Sequence, residues 1–423
     1  MSTKQRIAVA LGVFVLLGAL AFLGWSYETK RAARGPAAGA VTVDVTSPGD
    51  SGSGTLREAL FIAAAAKGQA TVVIRTKTIT LQAGLPPLVN AHGVRIVAAQ
   101  PGAEIDARAL TAGPVLDVVG DNTSIEGVAL RNCSGTAILL RATHFHLQSS
   151  AVESCDVGVD VMDNANDVLL EHNRFASDRI GVRFGAPSRN IVVVGNSFLQ
   201  DKDAGLWAVR GSADGRAGTI TVRDNHFSAN GSGVVTGNVS LLVEHNDIAS
   251  SRDAAIHLIG GGAVIRSNQI RGGTTMGIVA EYAGEAVIDR NELEQFASYA
   301  IMVRGSPNAL VRGNRIHSCG YGMALVLGDP RKPITVVGNT IIEPKFDGID
   351  VMGDSPILRH NQVLRPHNLA LHVVDYPLGG KNVTARPFLE GNNFRANALQ
   401  TAEDLQMGDT QMSAAVQPAA HRQ

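Results

Sequence analysis

Residues 191–209 read IVVVGNSFLQDKDAGLWAV, residues 241–259 read LLVEHNDIASSRDAAIHLI, and residues 334–352 read ITVVGNTIIEPKFDGIDVM. Each stretch carries an asparagine at the same place, apolar residues at alternate positions around it, a variable polar segment, and a small residue that opens a further apolar run. The asparagines are Asn173, Asn196, Asn225, Asn246, Asn268, Asn291, Asn314, Asn339, Asn361 and Asn392, and Val128 and Ser150 hold the same place in two earlier copies. The spacing between copies is 21 to 31 residues. A period of this length marks a repeat architecture and has to be read before any single segment.

Apolar alternation with period two, in runs of three to five residues, argues for short strands and against helices. Three such runs fit in one copy: a strand ending at the asparagine, a second strand after a bend, and a third led by the small residue, as in Gly205-Leu206-Trp207-Ala208 and Gly348-Ile349-Asp350-Val351. The pattern predicts an all-β chain, a right-handed three-sided parallel β-helix of about twelve rungs. The asparagine is expected to sit in the bend itself, where it tolerates left-handed backbone, and to hydrogen-bond to its own copies along the stack.

On this repeat the chain resembles the pectin lyase-like right-handed parallel β-helix proteins, in particular the parallel β-helix repeat group that holds mannuronan C-5 epimerases and NosD-like periplasmic proteins. The resemblance covers roughly residues 115 to 400. It implies a substrate groove along the face of the small-led strands, and a polysaccharide as the partner.

The ends need closing, because a β-helix exposes core and strand edges there. Thr55 and Glu58 form a capping box, Leu56, Ala59, Leu60 and Ala63 form one apolar face, and Gly68 reads as the stop, so an N-terminal capping helix is expected to lie across the first coil. Early strands are expected at residues 71–74, 94–98 and 115–119. Residues 41–114 thus read as cap and first irregular coils, 115–400 as the β-helix, and 401–423 as a flexible tail.

Residues 7–27, IAVALGVFVLLGALAFLGWSY, carry no charge and follow Lys4 and Arg6. That length spans a bilayer. The segment reads as a membrane anchor between a cytoplasmic stretch at 1–6 and a linker at 28–40, or as a signal peptide cut after Ala19-Leu20-Ala21. Either reading places the body of the chain outside the cytoplasm, on the periplasmic or cell-surface side of the inner membrane. A net charge of −1 argues against a nucleic-acid partner. Cys133 and Cys155 fall at equivalent places on adjacent copies, within disulfide reach; they are either bonded or two stacked thiols.

Function has to be read from what points outward. Two places after each small residue lies an outward row: Leu139, Asp160, Arg183, Trp207, Val235, His257, Val279, Met302, Ala324, Asp350 and His372. All are expected to face solvent, about 4.8 Å apart. Candidate substrate-binding residues are Trp207, as a sugar-stacking platform, with Arg183, His257, Glu281, Arg304 and Arg365. Candidate catalytic residues are His372 as base, Asp350 as its orienting partner, Lys345 or Arg365 as a clamp for a uronate carboxylate, Asp347 beside them, and Tyr321 or Tyr299 as acid. No metal or other cofactor is expected, although Asp156, Asp160 and Asp203 are acidic residues that a calcium ion would use.

The resemblance implies uronate lyase or C-5 epimerase chemistry in exopolysaccharide synthesis or modification, by a membrane-tethered extracytoplasmic protein. The chain departs from the epimerase pattern, however: Asp347-Gly348-Ile349-Asp350 stands where an Asp-Pro-His-Asp stretch would. The alternative is a non-catalytic polysaccharide-binding or scaffold component of an export or periplasmic accessory assembly, with secretion-complex proteins as further partners.

Overall fold

The computed structural model describes residues 39–162, 165–185, 188–209 and 219–394, together with the main chain of 406–407 and 411–412. The expected anchor at 7–27 lies outside the described residues; among these, no helix is long and apolar enough to cross a membrane.

Three parallel sheets run the length of the molecule. The first has sixteen strands, from Val41–Val45 to Gln406–Met407; the second has fifteen, from Thr78–Thr80 to Gln411–Met412; the third has twelve, from Leu116–Val118 to Leu371–Val374. Twelve rungs contribute one strand to each sheet, as Arg189–Val194, Ser197–Leu199 and Ala204–Val209 do, and the coils at either end lack a strand of the third. Strands pair with their copies one rung away, in a register that keeps equivalent residues side by side. The early strands form at Ala70–Ile74, Val94–Ala98 and Leu116–Val118. The expected tail is not wholly outside the coil, since its residues 406–407 and 411–412 extend the first two sheets.

Inward positions are filled by Val, Ile, Leu and Phe. Phe175, Phe198 and Phe227 stack with ring centroids 4.9 and 4.7 Å apart and are fully buried. Each buried ring of this kind stabilises by about 1.5–3 kcal/mol. Cys133 and Cys155 are joined as a disulfide between adjacent rungs, with Cα atoms 4.3 Å apart. Cys319 is a buried free thiol, pushed up to about 11 by burial.

The asparagine spine is the most regular feature. Asn268 Oδ1 accepts from the main-chain N–H and the Nδ2 of Asn246, each at 3.0 Å, and Asn268 Nδ2 donates to Val243 O at 3.0 Å. The same set links Asn173 through to Asn392. Ser150 takes part with a hydroxyl, which accepts from Val128 N at 3.3 Å. The asparagine itself is not the left-handed residue. Positive φ falls on the residue before it, at His172 (53°), Gly195 (65°), Asp224 (56°) and His245 (54°). The bend is made one place earlier, and the asparagine side chain serves the row of main-chain donors that the bend turns inward.

Helix α1 spans Leu56–Ala65, capped by Thr55, whose hydroxyl accepts from Glu58 N. Leu56, Ala59, Leu60 and Ala63 are buried against the first coil. The helix ends before Gly68. Asn90 stops it, with Nδ2 donating to Ala63 O, Ala66 O and Gly68 O at 2.7, 3.2 and 3.2 Å, so that carbonyls left open by the last turn are satisfied from outside.

Among the described residues, two of the longest asparagine spacings bring in the turn around Asp329–Lys332 and the antiparallel hairpin of Tyr376–Leu378 with Lys381–Val383. Both lie at one corner, between a strand of the third sheet and the next strand of the first.

Candidate active site

Parallel pairing aligns the outward row of the third sheet as the spacing predicts, from Leu139 through Asp160, Arg183, Trp207, Val235, His257, Val279, Met302, Ala324 and Asp350 to His372. The row is less open than expected. Asp160, Val235, Val279, Ala324 and Asp350 point outward yet are buried, and Trp207 is half-buried. At a rung spacing near 4.8 Å a short side chain disappears beneath long neighbours. The result is three polar shelves separated by apolar ground.

The first shelf is built from arginine. Arg183 grips Asp160, with Nε donating to Oδ1 at 2.8 Å and Nη2 to Oδ2. Arg179 holds Asp156 through Nε (2.6 Å) and Asp203 through Nη1 (3.0 Å), and its hydrogen bond to Asp156, with the charges of Arg179 and Arg183 adding, lowers the pKa of that carboxyl. The three carboxylates considered for calcium are thus held by guanidinium groups. On the middle shelf, His257 Nε2 lies 3.1 Å from Glu281 Oε2, and Arg304 Nη1 lies 3.6 Å from Glu281 Oε1.

The third shelf gathers Asp347, Asp350 and His372. His372 Nδ1 stands 3.4 Å from Asp350 Oδ1 and 3.7 Å from Asp347 Oδ2. The outer oxygen of each carboxylate is fixed. Tyr299 Oη donates to Asp350 Oδ2 at 2.6 Å, while Asn368 Nδ2 and Leu369 N donate to Asp347 Oδ1 at 2.6 and 2.9 Å. The remaining oxygens face the imidazole, and Asp350 Oδ1 is buried without a hydrogen-bond partner among the described residues. These three ligand atoms lie within 4.8 Å of one another, a set that can orient a catalytic imidazole or hold a divalent cation.

Tyr299 is set by burial and then by its bond to Asp350, which together hold the phenol protonated well above its ordinary range. It is therefore a fixed donor to Asp350 and a poor proton source. Its ring stacks on Tyr321 (centroids 4.6 Å apart), and Tyr321 stacks on half-exposed Phe346 (4.8 Å). Phe346 and Asn368 were not singled out in the sequence. Their signal is faint: Tyr299, Tyr321 and Phe346 fall seven or eight places after three successive spine asparagines.

One candidate, Arg365, sits apart from this group. Arg365 lies at a left-handed corner (φ 52°), where its Nη2 is 2.9 Å from Glu343 Oε1. That bend, between the second and third sheets, turns it away from the outward row. Lys345 is exposed beside Phe346.

Three parallel sheets closed along an asparagine spine define a β-solenoid. The chain belongs to the right-handed β-helix family, whose model, described as a right handed beta helix region, matches residues 115–264 and 213–363. Among solved structures it is similar to a PL6 alginate lyase in complex with a trisaccharide (13% identity, 90% of each chain covered, TM-score 0.53). It is also similar to the catalytic unit of a thermostable GH87 α-1,3-glucanase from Streptomyces thermodiastaticus (15% identity, 90% of this chain and 71% of that one, TM-score 0.51). A periplasmic alginate epimerase matches at 12% identity over 71% of this chain and 77% of that one, with a TM-score of 0.46. No curated protein matches the chain in sequence.

Proposed function

We propose that this chain binds a linear acidic polysaccharide along the third sheet, outside the cytoplasm, and acts on it at the Asp347–Asp350–His372 shelf by uronate lyase or C-5 epimerase chemistry. The observation that carries this reading is the gathering of His372 Nδ1 with Asp350 Oδ1 at 3.4 Å and Asp347 Oδ2 at 3.7 Å, at one end of a row of repeated polar shelves. Carboxylates beside an imidazole can orient the ring as a base. In a uronate residue that base removes the C5 proton. A lyase then expels the C4 oxygen, which takes up a proton; an epimerase returns a proton to C5 from the opposite face. Register places Tyr321 one rung below Asp350 and His372 one rung above, so a sugar over Asp350 lies between two proton-carrying groups. Lys345 supplies the cation for the substrate carboxylate, and Phe346 an aromatic surface for its ring.

Other observations agree. The fold also carries an alginate lyase and an α-1,3-glucanase. The apolar segment at 7–27 and the Cys133–Cys155 disulfide suit an exported, oxidised protein. The arginine shelf, with its charges mutually satisfied, suits holding a polymer more than reacting with it.

The test is incubation of the full chain with uronate and neutral polysaccharides, following absorbance of unsaturated uronates and C5 proton exchange by NMR. Turnover on a uronate polymer that is lost in His372→Ala supports the assignment. Binding without turnover, weakened by Trp207→Ala or Phe346→Ala, would instead leave a scaffold of an export or accessory assembly. Neither binding nor turnover sinks both readings.

A further inference from the structure

Five places after the spine asparagine the chain turns a second side chain inward, and on successive rungs that place holds Cys155, Asp178, Asp201 and Asn230. They form a second, shorter ladder. Cys155 N donates to Asp178 Oδ1 at 2.7 Å, Asp178 N to Asp201 Oδ1 at 3.1 Å, and Asp201 N to Asn230 Oδ1 at 2.8 Å. In each case one side-chain oxygen accepts from the rung before.

The second terminal atom differs. In Asn230 it is Nδ2, which donates to Phe198 O at 2.9 Å. In Asp178 and Asp201 it is Oδ2, buried in residues 1% and 0% exposed and without a hydrogen-bond partner among the described residues. Both Oδ2 atoms press against the preceding rung: a Cβ built on Gly158 would lie 3.3 Å from Asp178 Oδ2, and one on Gly181 would lie 2.9 Å from Asp201 Oδ2. Strand register gives Asp201 the relation to Phe175 O, and Asp178 the relation to Val152 O, that Asn230 has to Phe198 O.

We propose that Asp178 and Asp201 stand in the core as neutral carboxylic acids, each donating its proton from Oδ2 to the carbonyl one rung below, so that the second ladder is continuous only while both keep that proton. An ionised oxygen at this place would be stranded against carbonyls and phenylalanine rings, a costly burial of charge. Burial pushes Asp178 up to about 9, with the charge of neighbouring Asp201 adding to it, and pushes Asp201 up to about 8. The charged groups facing them are few. Glu153 opposes ionisation of Asp178, and Arg174, which favours ionisation of Asp201, already donates to Glu153 at 2.8 Å.

The ladder bears on the outer face. Arg179 follows Asp178 directly and Asp203 lies two places after Asp201, and with Asp156 these two build the arginine shelf. Loss of an interior proton thus loosens the corner that positions this shelf. Both acids bind protons more tightly folded than unfolded. Stability is therefore highest at low pH and falls as pH rises from the ordinary carboxylate range, about 4, until both are ionised above about 9. This inference is independent of the function proposed above.

Melting temperatures of the full chain between pH 5 and 9.5 test it, for wild type, Asp178→Asn, Asp201→Asn and the double variant. Asparagine supplies at every pH the donor that the acid supplies only when protonated. The double variant should therefore melt above wild type at pH 9 and lose most of the decline between pH 6 and 9. Asp354, also buried and pushed up to about 6, is present in all four proteins and cancels. The infrared band of a protonated carboxylic acid, read at pH 7 where Asp354 is mostly ionised, gives a second measurement. It should be present in wild type, shift in D2O and vanish in the double variant. An unchanged pH slope in the double variant overturns the proposal, as does absence of the band from wild type; if the variants do not fold, the wild-type band decides.

Discussion

Replacing Asn268 by alanine removes one link from the middle of the spine. Asn268 is 1% exposed, and no water can reach what the substitution uncovers. Four hydrogen bonds go: two accepted from Asn246, one donated to Val243 O, and one donated to Asn291 Oδ1 at 2.9 Å. Asn246 Nδ2 keeps Val222 O and Glu244 O, and Asn291 Oδ1 keeps the N–H of Asn268, so these groups are only weakened. The buried main-chain N–H of Asn246 is left with nothing. At about 1–3 kcal/mol for a stranded buried group and about 1 kcal/mol for each further net bond, the loss comes to ~3–5 kcal/mol. Asn268→Ser should cost roughly half as much, because a hydroxyl already does this work at Ser150. A solenoid need not unfold in one step, so the local readout is hydrogen exchange at the Asn246 amide, set beside urea unfolding. Exchange there should speed up by about 100-fold or more in Asn268→Ala, at tenfold per 1.4 kcal/mol. An alanine variant within ~1 kcal/mol of wild type, with that amide still protected, would refute the assignment of the spine as a main source of stability.

Two further outcomes follow from the face. Tyr299→Phe keeps the stacked ring but takes the donor from Asp350 Oδ2, and should cost ~1–3 kcal/mol in urea unfolding along with at least tenfold of any turnover; a variant equal to wild type in both would show that Asp350 does not rely on this bond. Arg183→Ala strands Asp160, whose side chain is only 8% exposed, and should cost ~1–2 kcal/mol after allowance for the solvent around a guanidinium that is 40% exposed, whereas Asp160→Ala with Arg183→Ala should recover part of it. A double-mutant cycle with no coupling would contradict that pairing.

The coil and its register were open to reading because they rest on short-range rules: strand period two, a copy every 21 to 31 residues, and one amide at a fixed place. From these the neighbours of Asp350 on both sides follow. What the spacing cannot give is how long side chains lie once they leave the strand. Tyr299 reaches Asp350 two rungs away across Ala324, whose small side chain leaves room, so a position that points outward is nonetheless buried. Arg365 looked close to His372 by seven residues of sequence, but a left-handed corner intervenes and Glu343 claims it. The inward acids were within reach: the cysteines at the fifth place after the asparagine mark that corner, and Asp178 and Asp201 occupy the same place two and one rungs before Asn230. Their type suggested surface, and only geometry shows them in the core.

Placing the Asp329–Lys332 turn and the hairpin of Tyr376–Leu378 with Lys381–Val383 at the corner between the third and first sheets divides the molecule into a side that counts and a side that varies. An added loop there lengthens one rung's contour without changing how many residues separate the spine from the strand that follows it, so an error of length is not passed to the next rung. The same corner borders the third sheet, whose outward row carries the polar shelves. Loops can be exchanged or enlarged at that border, changing how that face is walled, while the stack beneath keeps its pitch and alignment. A chain built this way can alter what it encloses without having to refold around the change.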